Sequence, residues 1–282
     1  MKQIRVSLGD GIGSRILKIG FSLALAKKQG REPLFCWYQN WQCGNNTQMT
    51  DFFENDLNSV AVSLEMENSS KGVLRNSFGE RMIMVDARTP ERLPLVELDK
   101  YDLIYLGNTA LEKVGILAEL RELRESAKNE VRGLKLTKKL SEEVDQFSEG
   151  MFKGRVLGIH VRGGDIRRHA ETNEALCENQ KEGAVRYVPV ERFVAKLKEV
   201  KDDYDTIFLS VEDEDQLEVI RKAFQDNIVY RSKPHGRESI EHIQEALIEI
   251  YLLSKCDFLL LGNSKFGRLA ATLGEVPFET VV

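Results

Sequence analysis

The chain has 282 residues, 42% hydrophobic and 30% charged, with 45 acidic against 40 basic residues and a formal net charge of -5. That apolar content excludes a disordered chain and suffices for one or two ordinary cores. The basic residues form no dense tract, which excludes a broad nucleic-acid surface or polybasic membrane anchor, and no apolar run approaches the roughly 20 residues of a bilayer span.

Met1 and Lys2 lead straight into Ile4 to Leu8, which reads as a strand and not as a signal with a cleavage site. A cytoplasmic protein, or a trimmed catalytic domain, is therefore expected. A glycine turn follows at Gly9-Asp10-Gly11-Ile12-Gly13, then a helix to about Lys28 and a strand from Pro33 to Tyr38. Residues 39–92 are rich in Asn, Ser and Gly and read as irregular, with a later strand candidate at Tyr101 to Leu106. From Leu111 to Gly150 the pattern is that of amphipathic helices with solvated faces.

The second half is more regular. Apolar runs at Val156 to Val161, Thr206 to Val211, Ile228 to Tyr230, Phe258 to Leu261 and Phe278 to Val282 read as five buried parallel strands. Helical stretches separate them, the longest carrying Ile240, Ile243, Leu247 and Ile250 on one face. Strands alternating with such helices imply an open α/β sheet. The boundary falls near Gly150, giving an N-terminal lobe of residues 1–150 and a C-terminal lobe of residues 151–282.

Ligands of such sheets bind at the carboxyl ends of the strands. At the first end, Gly11, Gly13 and Arg15 are compatible with a structural tight turn or with a phosphate or sugar contact. A dinucleotide fingerprint is not complete there: its third glycine is missing, and Cys36, Trp37 and Tyr38 stand where an acidic residue should end the second strand. At the second, His160 and Arg162 lie two apart in a strand and so share a face, with Gly163 and Gly164 leaving space beside the guanidinium. A planar guanidinium suits a phosphate, although an ion pair with Asp165 is the structural alternative. At the third, Asp213 and Asp215 could hold a divalent ion, whereas Asp213 with Gln216 makes a capping box. At the fourth, Ser264 and Lys265 open a helix where an anion would be welcome, with Asn263 or Ser264 as a plain N-cap in competition.

His160, His169, His235 and His242 lack metal-ligand spacing, so no metal centre is expected, and Cys36, Cys43, Cys177 and Cys256 are expected to be reduced thiols.

At these residues the sequence resembles the GT-B fucosyltransferase superfamily of α1,6-fucosyltransferases, nodulation fucosyltransferases and protein O-fucosyltransferases. Its His-x-Arg strand motif is matched by His160, Arg162 and Asp165; its acid followed by Leu-Ser-x-Cys by Glu249 and Leu253 to Cys256; and its Ser-Ser-Phe turn, in part, by Ser264, Lys265 and Phe266. Gly11 to Arg15 looks like its glycine-rich opening. The resemblance implies two Rossmann-like lobes with mainly parallel sheets flanked by helices, the N-terminal one on the acceptor side. It further implies inverting, metal-independent transfer of fucose from GDP-fucose to a glycan or other hydroxyl acceptor, with no cofactor beyond the GDP-sugar donor.

Arg162 would then take the β-phosphate, with His160 and Asp165 shaping the site. Ser264, Lys265 and Phe266 would lie against the phosphates, and Glu249 would face the base, because adjacent N–H donors suit a carboxylate. Glu171, or else Asp10, is the candidate general base. The sequence departs from the family where Gly163 replaces a second basic residue, Lys265 a serine and Glu249 an aspartate. Two other readings stay open: a non-catalytic nucleotide- or glycan-binding protein of the same fold, and a metal-dependent transferase using Asp213 and Asp215.

Overall fold

The computed structural model describes residues 2–40, 42–44, 46–63, 82–85, 93–107, 114, 117–163, 187–224, 227–232 and 236–282. The chain forms two compact units, one of residues 1–138 with 236–244 and one of residues 139–235 with 245–282. Each is built on a five-stranded sheet in which every pairing is parallel. No described helix is long and apolar enough to cross a membrane.

In the first unit the strands are β1 (Gln3–Leu8), β2 (Glu32–Gln39), β3 (Ser59–Ser63), β4 (Met82–Val85) and β5 (Leu103–Leu106). Their spatial order is β3-β2-β1-β5-β4. Residues 39–92, expected to be irregular, thus contain two strands. Both lie at sheet edges, where one neighbour is missing and little apolar patterning is demanded; Val60 of β3 is indeed exposed.

Helix α1 (Ile12–Gln29) is buried over most of its surface and ends on Gly30 in the left-handed region, whose φ of 58° suits glycine. Helices α2 (Leu95–Leu98) and α3 (Leu117–Arg132) follow. Helix α3 packs closely on α1 because Gly20 has no side chain. A Cβ there would lie 2.3 Å from Val131 Cγ2 and 2.8 Å from the Ala127 carbonyl.

Helix α4 (Lys138–Met151) leads into the second unit, whose strands are β6 (Val156–Val161), β7 (Thr206–Val211), β8 (Ile228–Tyr230), β9 (Phe258–Leu261) and β10 (Phe278–Thr280), ordered β10-β9-β6-β7-β8. Every residue of β6 and β7 is buried, as their continuous apolar runs require. The expectation of five buried strands fails for β8 and β10, which are edge strands with half-buried or exposed side chains. Helices α5 (Val190–Val200), α6 (Glu214–Ala223), α7 (Ile240–Leu253) and α8 (Lys265–Gly274) complete the chain.

One face of β6 contributes Leu157, Ile159 and Val161 to a core with Phe193, Leu197 and Leu217. The other carries Gly158, His160 and then Arg162. A Cβ on Gly158 would stand 2.5 Å from Leu259 Cδ2, 2.8 Å from Cys256 Sγ and 3.0 Å from Leu253 Cδ2. The bare backbone at Gly158 lets the end of α7 approach the sheet. Glu249, one helical turn before Leu253, then falls over β6 and β7.

Candidate functional site

Strand order fixes where ligands can enter. From β6 the chain proceeds through β7 and β8 on one side, then returns to β9 and β10 on the other, so the switch point lies between the carboxyl ends of β6 and β9. His160 ends the buried part of this seam. It is 5% exposed, and its ring stacks on Phe266 of α8 with centroids 4.4 Å apart and planes 18° from parallel. Burial, reinforced by the charge of Arg162, pushes His160 down to about 3, so the imidazole is neutral near pH 7.

Arg162, just beyond β6, keeps a quarter of its side chain exposed and has Nε 3.5 Å from Glu212 Oε2. Asp165 and Glu171 lie outside the described residues, as does Gly164. The space expected beside Gly163 is occupied: a Cβ there would come within 2.2 Å of Asp213 Oδ2 and 2.8 Å of Gln216 Oε1. A basic side chain at this position would displace the start of α6, which gives a steric reason for the departure from the family pattern.

Two helices begin at strand ends flanking β6, and their charges are opposite. Helix α6, after β7, has Asp213 as its N-cap and Glu214 and Asp215 in its first turn, so its own acids meet the positive helix end. The capping box expected of Asp213 and Gln216 is not formed, because the Asp213 side chain makes no capping hydrogen bond; Asp213 sits against Gly163 instead. Among the described residues no group of His, Cys, Asp and Glu is arranged to hold a metal ion.

Helix α8, after β9, has Ser264 as its N-cap, whose Oγ accepts the Phe266 N–H at 3.1 Å, and no acid in its first turn. Lys265 and Arg268 add positive charge to an end that is already positive, and Lys265 is exposed. That excess charge suits an anion at the β6–β9 crevice. Of Ser264, Lys265 and Phe266, Phe266 is stacked on His160, and Ser264 and Lys265 open the helix that carries it.

Glu249 is 6% exposed and accepts a hydrogen bond of 2.8 Å from Ser210 Oγ, which stands 3.3 Å from His160 Nδ1. Burial pushes its carboxyl up to about 8, against the Ser210 hydrogen bond and with Glu245 adding to the rise. One of its oxygens is thus engaged with Ser210. Ser210, absent from the residues expected at the site, is the link between Glu249 and His160. Its signal was a lone hydroxyl near the end of an apolar strand, opposite His160 in the parallel register.

In the first unit the glycine turn is held from within. Gly11 is the N-cap of α1 and Gly13 is buried in its first turn. The Arg15 guanidinium is fully buried: it donates to the Tyr38 carbonyl at 2.8 Å, the Asp10 carbonyl at 2.5 Å and Asn40 Oδ1 at 3.2 Å, and lies 4.4 Å over the Trp37 ring. Asp10 pairs with Lys18 at 2.7 Å. Among the described residues Cys36, Cys43 and Cys256 are free thiols, and burial pushes Cys43 up to about 11; Cys177 lies outside them.

Neither a protein-family model nor a curated protein sequence matches the chain. Solved structures do. The chain is similar to the fucosyltransferase NodZ from Bradyrhizobium, at 16% identity and a TM-score of 0.59 over 95% of this chain and 92% of that one. It is also similar to a variant of Arabidopsis thaliana FUT1 in complex with GDP, at 14% identity and 0.61 over 99% and 70%. A third is POFUT1 in complex with GDP-fucose, at 10% identity and 0.60 over 99% and 98%. At these identities the likeness is one of fold. The α/β architecture of two parallel sheets flanked by helices is that of GT-B fucosyltransferase structures, as the resemblance in sequence implied.

Proposed function

We propose that the chain is an inverting, metal-independent glycosyltransferase that moves fucose from GDP-fucose, or a related GDP-sugar, to a hydroxyl of a glycan or other acceptor. One juxtaposition carries the reading. Arg162 leaves the central strand at the switch point where α8 begins with Ser264 and Lys265 and without an acid. The fold supports it, since structures that share it hold GDP or GDP-fucose.

When the glycosidic bond breaks, negative charge grows on the leaving diphosphate. A preorganised guanidinium and a helix N-terminus in a crevice stabilise that charge more than they stabilise the intact donor, which lowers the barrier. Arg162 takes the β-phosphate and Lys265 the outer oxygens, while the Ser264 cap fixes the helix start. These cations do the work a divalent ion would otherwise do, and Asp213 and Asp215 are left to α6. Phe266 and the neutral His160 form the wall of the site. Asp165 shapes it, and Glu171 takes the acceptor's proton. Gly11, Gly13 and Arg15 belong to the N-terminal, acceptor-side lobe, where Arg15 holds the turn. Glu249 reaches the site through Ser210.

The test is turnover of labelled GDP-fucose against a glycan panel with and without chelator. Transfer with inverted anomeric configuration, insensitive to chelation and lost in Arg162→Ala, is expected. Unchanged turnover in Arg162→Ala would contradict the proposal, and donor hydrolysis without transfer would favour a protein that only binds the nucleotide.

A further inference from the structure

His160, Ser210 and Glu249 form a hydrogen-bonded line from the imidazole on β6, through a hydroxyl on β7, to a carboxyl on α7. The imidazole Nε2 is buried and has no hydrogen-bond partner among the described residues. A hydroxyl has one proton to donate, so Ser210 can donate to Glu249 or to His160 Nδ1, not to both. The direction of that one proton fixes which nitrogen of His160 carries hydrogen.

We infer that Ser210 is a positioning residue that couples the protonation of Glu249 to the tautomer of His160, and so sets whether His160 Nε2 offers a donor or an acceptor beside Arg162.

The protons balance as follows. With Glu249 protonated, its O–H donates to Ser210 Oγ, Ser210 donates to His160 Nδ1, and Nε2 carries the remaining hydrogen as a donor. Loss of one proton reverses the line: the carboxyl proton passes to Ser210, the Ser210 proton to Nδ1, and the proton of Nε2 leaves. Glu249 is then an acceptor only, Ser210 donates to it, Nδ1–H donates to Ser210, and Nε2 bears a lone pair. The imidazole is neutral in both states, in keeping with its fall to about 3.

The groups facing Glu249 are Glu245 on its own helix, Arg231 beyond β8 and Glu212 at the end of β7, with Arg162 acting on His160 from β6. Arg231 pairs with Glu245 and lies 3.3 Å from Glu143, so its charge is shared among acids and does not pin Glu249 as a carboxylate. The carboxyl is placed at about 8. Both states of the line are then reached at moderate pH. Resting on the proposed function, the state with Nε2–H is the one suited to an anionic diphosphate next to Arg162, because a second donor there adds a hydrogen bond and the lone pair would repel.

The experiment is imidazole nitrogen NMR of the ligand-free protein from pH 6 to 10, in the wild type, Ser210→Ala, Ser210→Thr and Glu249→Gln. In the wild type the protonated-type and bare-type shifts of His160 are expected to exchange between Nδ1 and Nε2 in one transition. Ser210→Ala and Glu249→Gln should abolish it, and Ser210→Thr, which keeps the hydroxyl, should retain it. Shifts constant across the range in the wild type, or the same transition in Ser210→Ala, would overturn the inference. If Ser210→Ala does not fold, Ser210→Thr and Glu249→Gln decide alone: a transition lost in Thr or kept in Gln overturns it. Because no ligand is present, a transition in a protein that fails to bind GDP defeats only the proposed function, whereas GDP binding without a transition defeats only this inference.

Discussion

Arg15 and Arg162 stand near the carboxyl ends of the central strands of their respective sheets, and they differ in what surrounds them. Arg15 is fully buried, with its donors directed at the Asp10 and Tyr38 carbonyls and its plane over Trp37. Arg162 is partly exposed and holds Glu212 at 3.5 Å. Arg15 makes three hydrogen bonds to Asp10, Tyr38 and Asn40 and is part of the fold, while the proposed function assigns Arg162, at the switch point, to an anion. Similar strand ends therefore differ: the first unit has a turn held by its own arginine, and the second has the arginine to which the proposed function assigns the diphosphate.

The largest expected effect lies on the structural side. Arg15→Met strands the buried Tyr38 carbonyl and the part-buried Asp10 carbonyl and removes a stacked ring partner, so a loss of roughly 3 kcal/mol in denaturant unfolding is expected. Arg162→Ala removes a side chain that is partly exposed where Arg15 is fully buried, and should cost less stability than Arg15→Met. Its effect belongs to binding: loss of a charge-assisted contact of about 1.5–3 kcal/mol weakens GDP roughly 10- to 100-fold in calorimetry. Equal stability losses in the two variants would erase the distinction between the arginines.

The pH dependence of stability sharpens it further. His160, lowered to about 3 from 6.5, contributes stability above pH 6.5 that is lost as pH falls towards 3. Glu249, raised to about 8 from 4.5, contributes stability below pH 4.5 that is lost as pH rises through 8. Urea midpoints of Glu249→Gln should therefore fall less than those of the wild type between pH 5 and 9, and parallel curves would count against a buried neutral acid. At the helix starts, Lys265→Glu replaces a contact to the diphosphate by a like charge and should weaken GDP binding by at least about 1.5 kcal/mol. The smallest effect is that of Asp213→Asn at the α6 end, which should leave binding unchanged.

Much of this arrangement was legible in sequence. Strands β6, β7, β8 and β9 coincide with apolar runs, and His160 and Arg162 stand out because they interrupt one. Edge strands β3 and β4 were not legible, since one-sided pairing leaves little pattern in five or four residues. Arg15 gave no sign of burial, because a turn sequence reads alike whether its arginine faces in or out. Asp213 had the spacing of a capping box, but side-chain direction decides a cap, and here the carboxylate lies against Gly163. Ser210 was visible as a polar residue in an apolar strand; its partners depend on the register against His160 and on how near Gly158 lets α7 come.

The most direct measurement is a crystal structure of the protein with GDP bound, because three places compete for the diphosphate: the glycine turn with Arg15, the start of α6 and the start of α8. The expected result is a β-phosphate on Arg162 with the diphosphate against Ser264 and Lys265. A diphosphate seated on Gly11 and Gly13, or held through a metal by Asp213 and Asp215, would contradict the account.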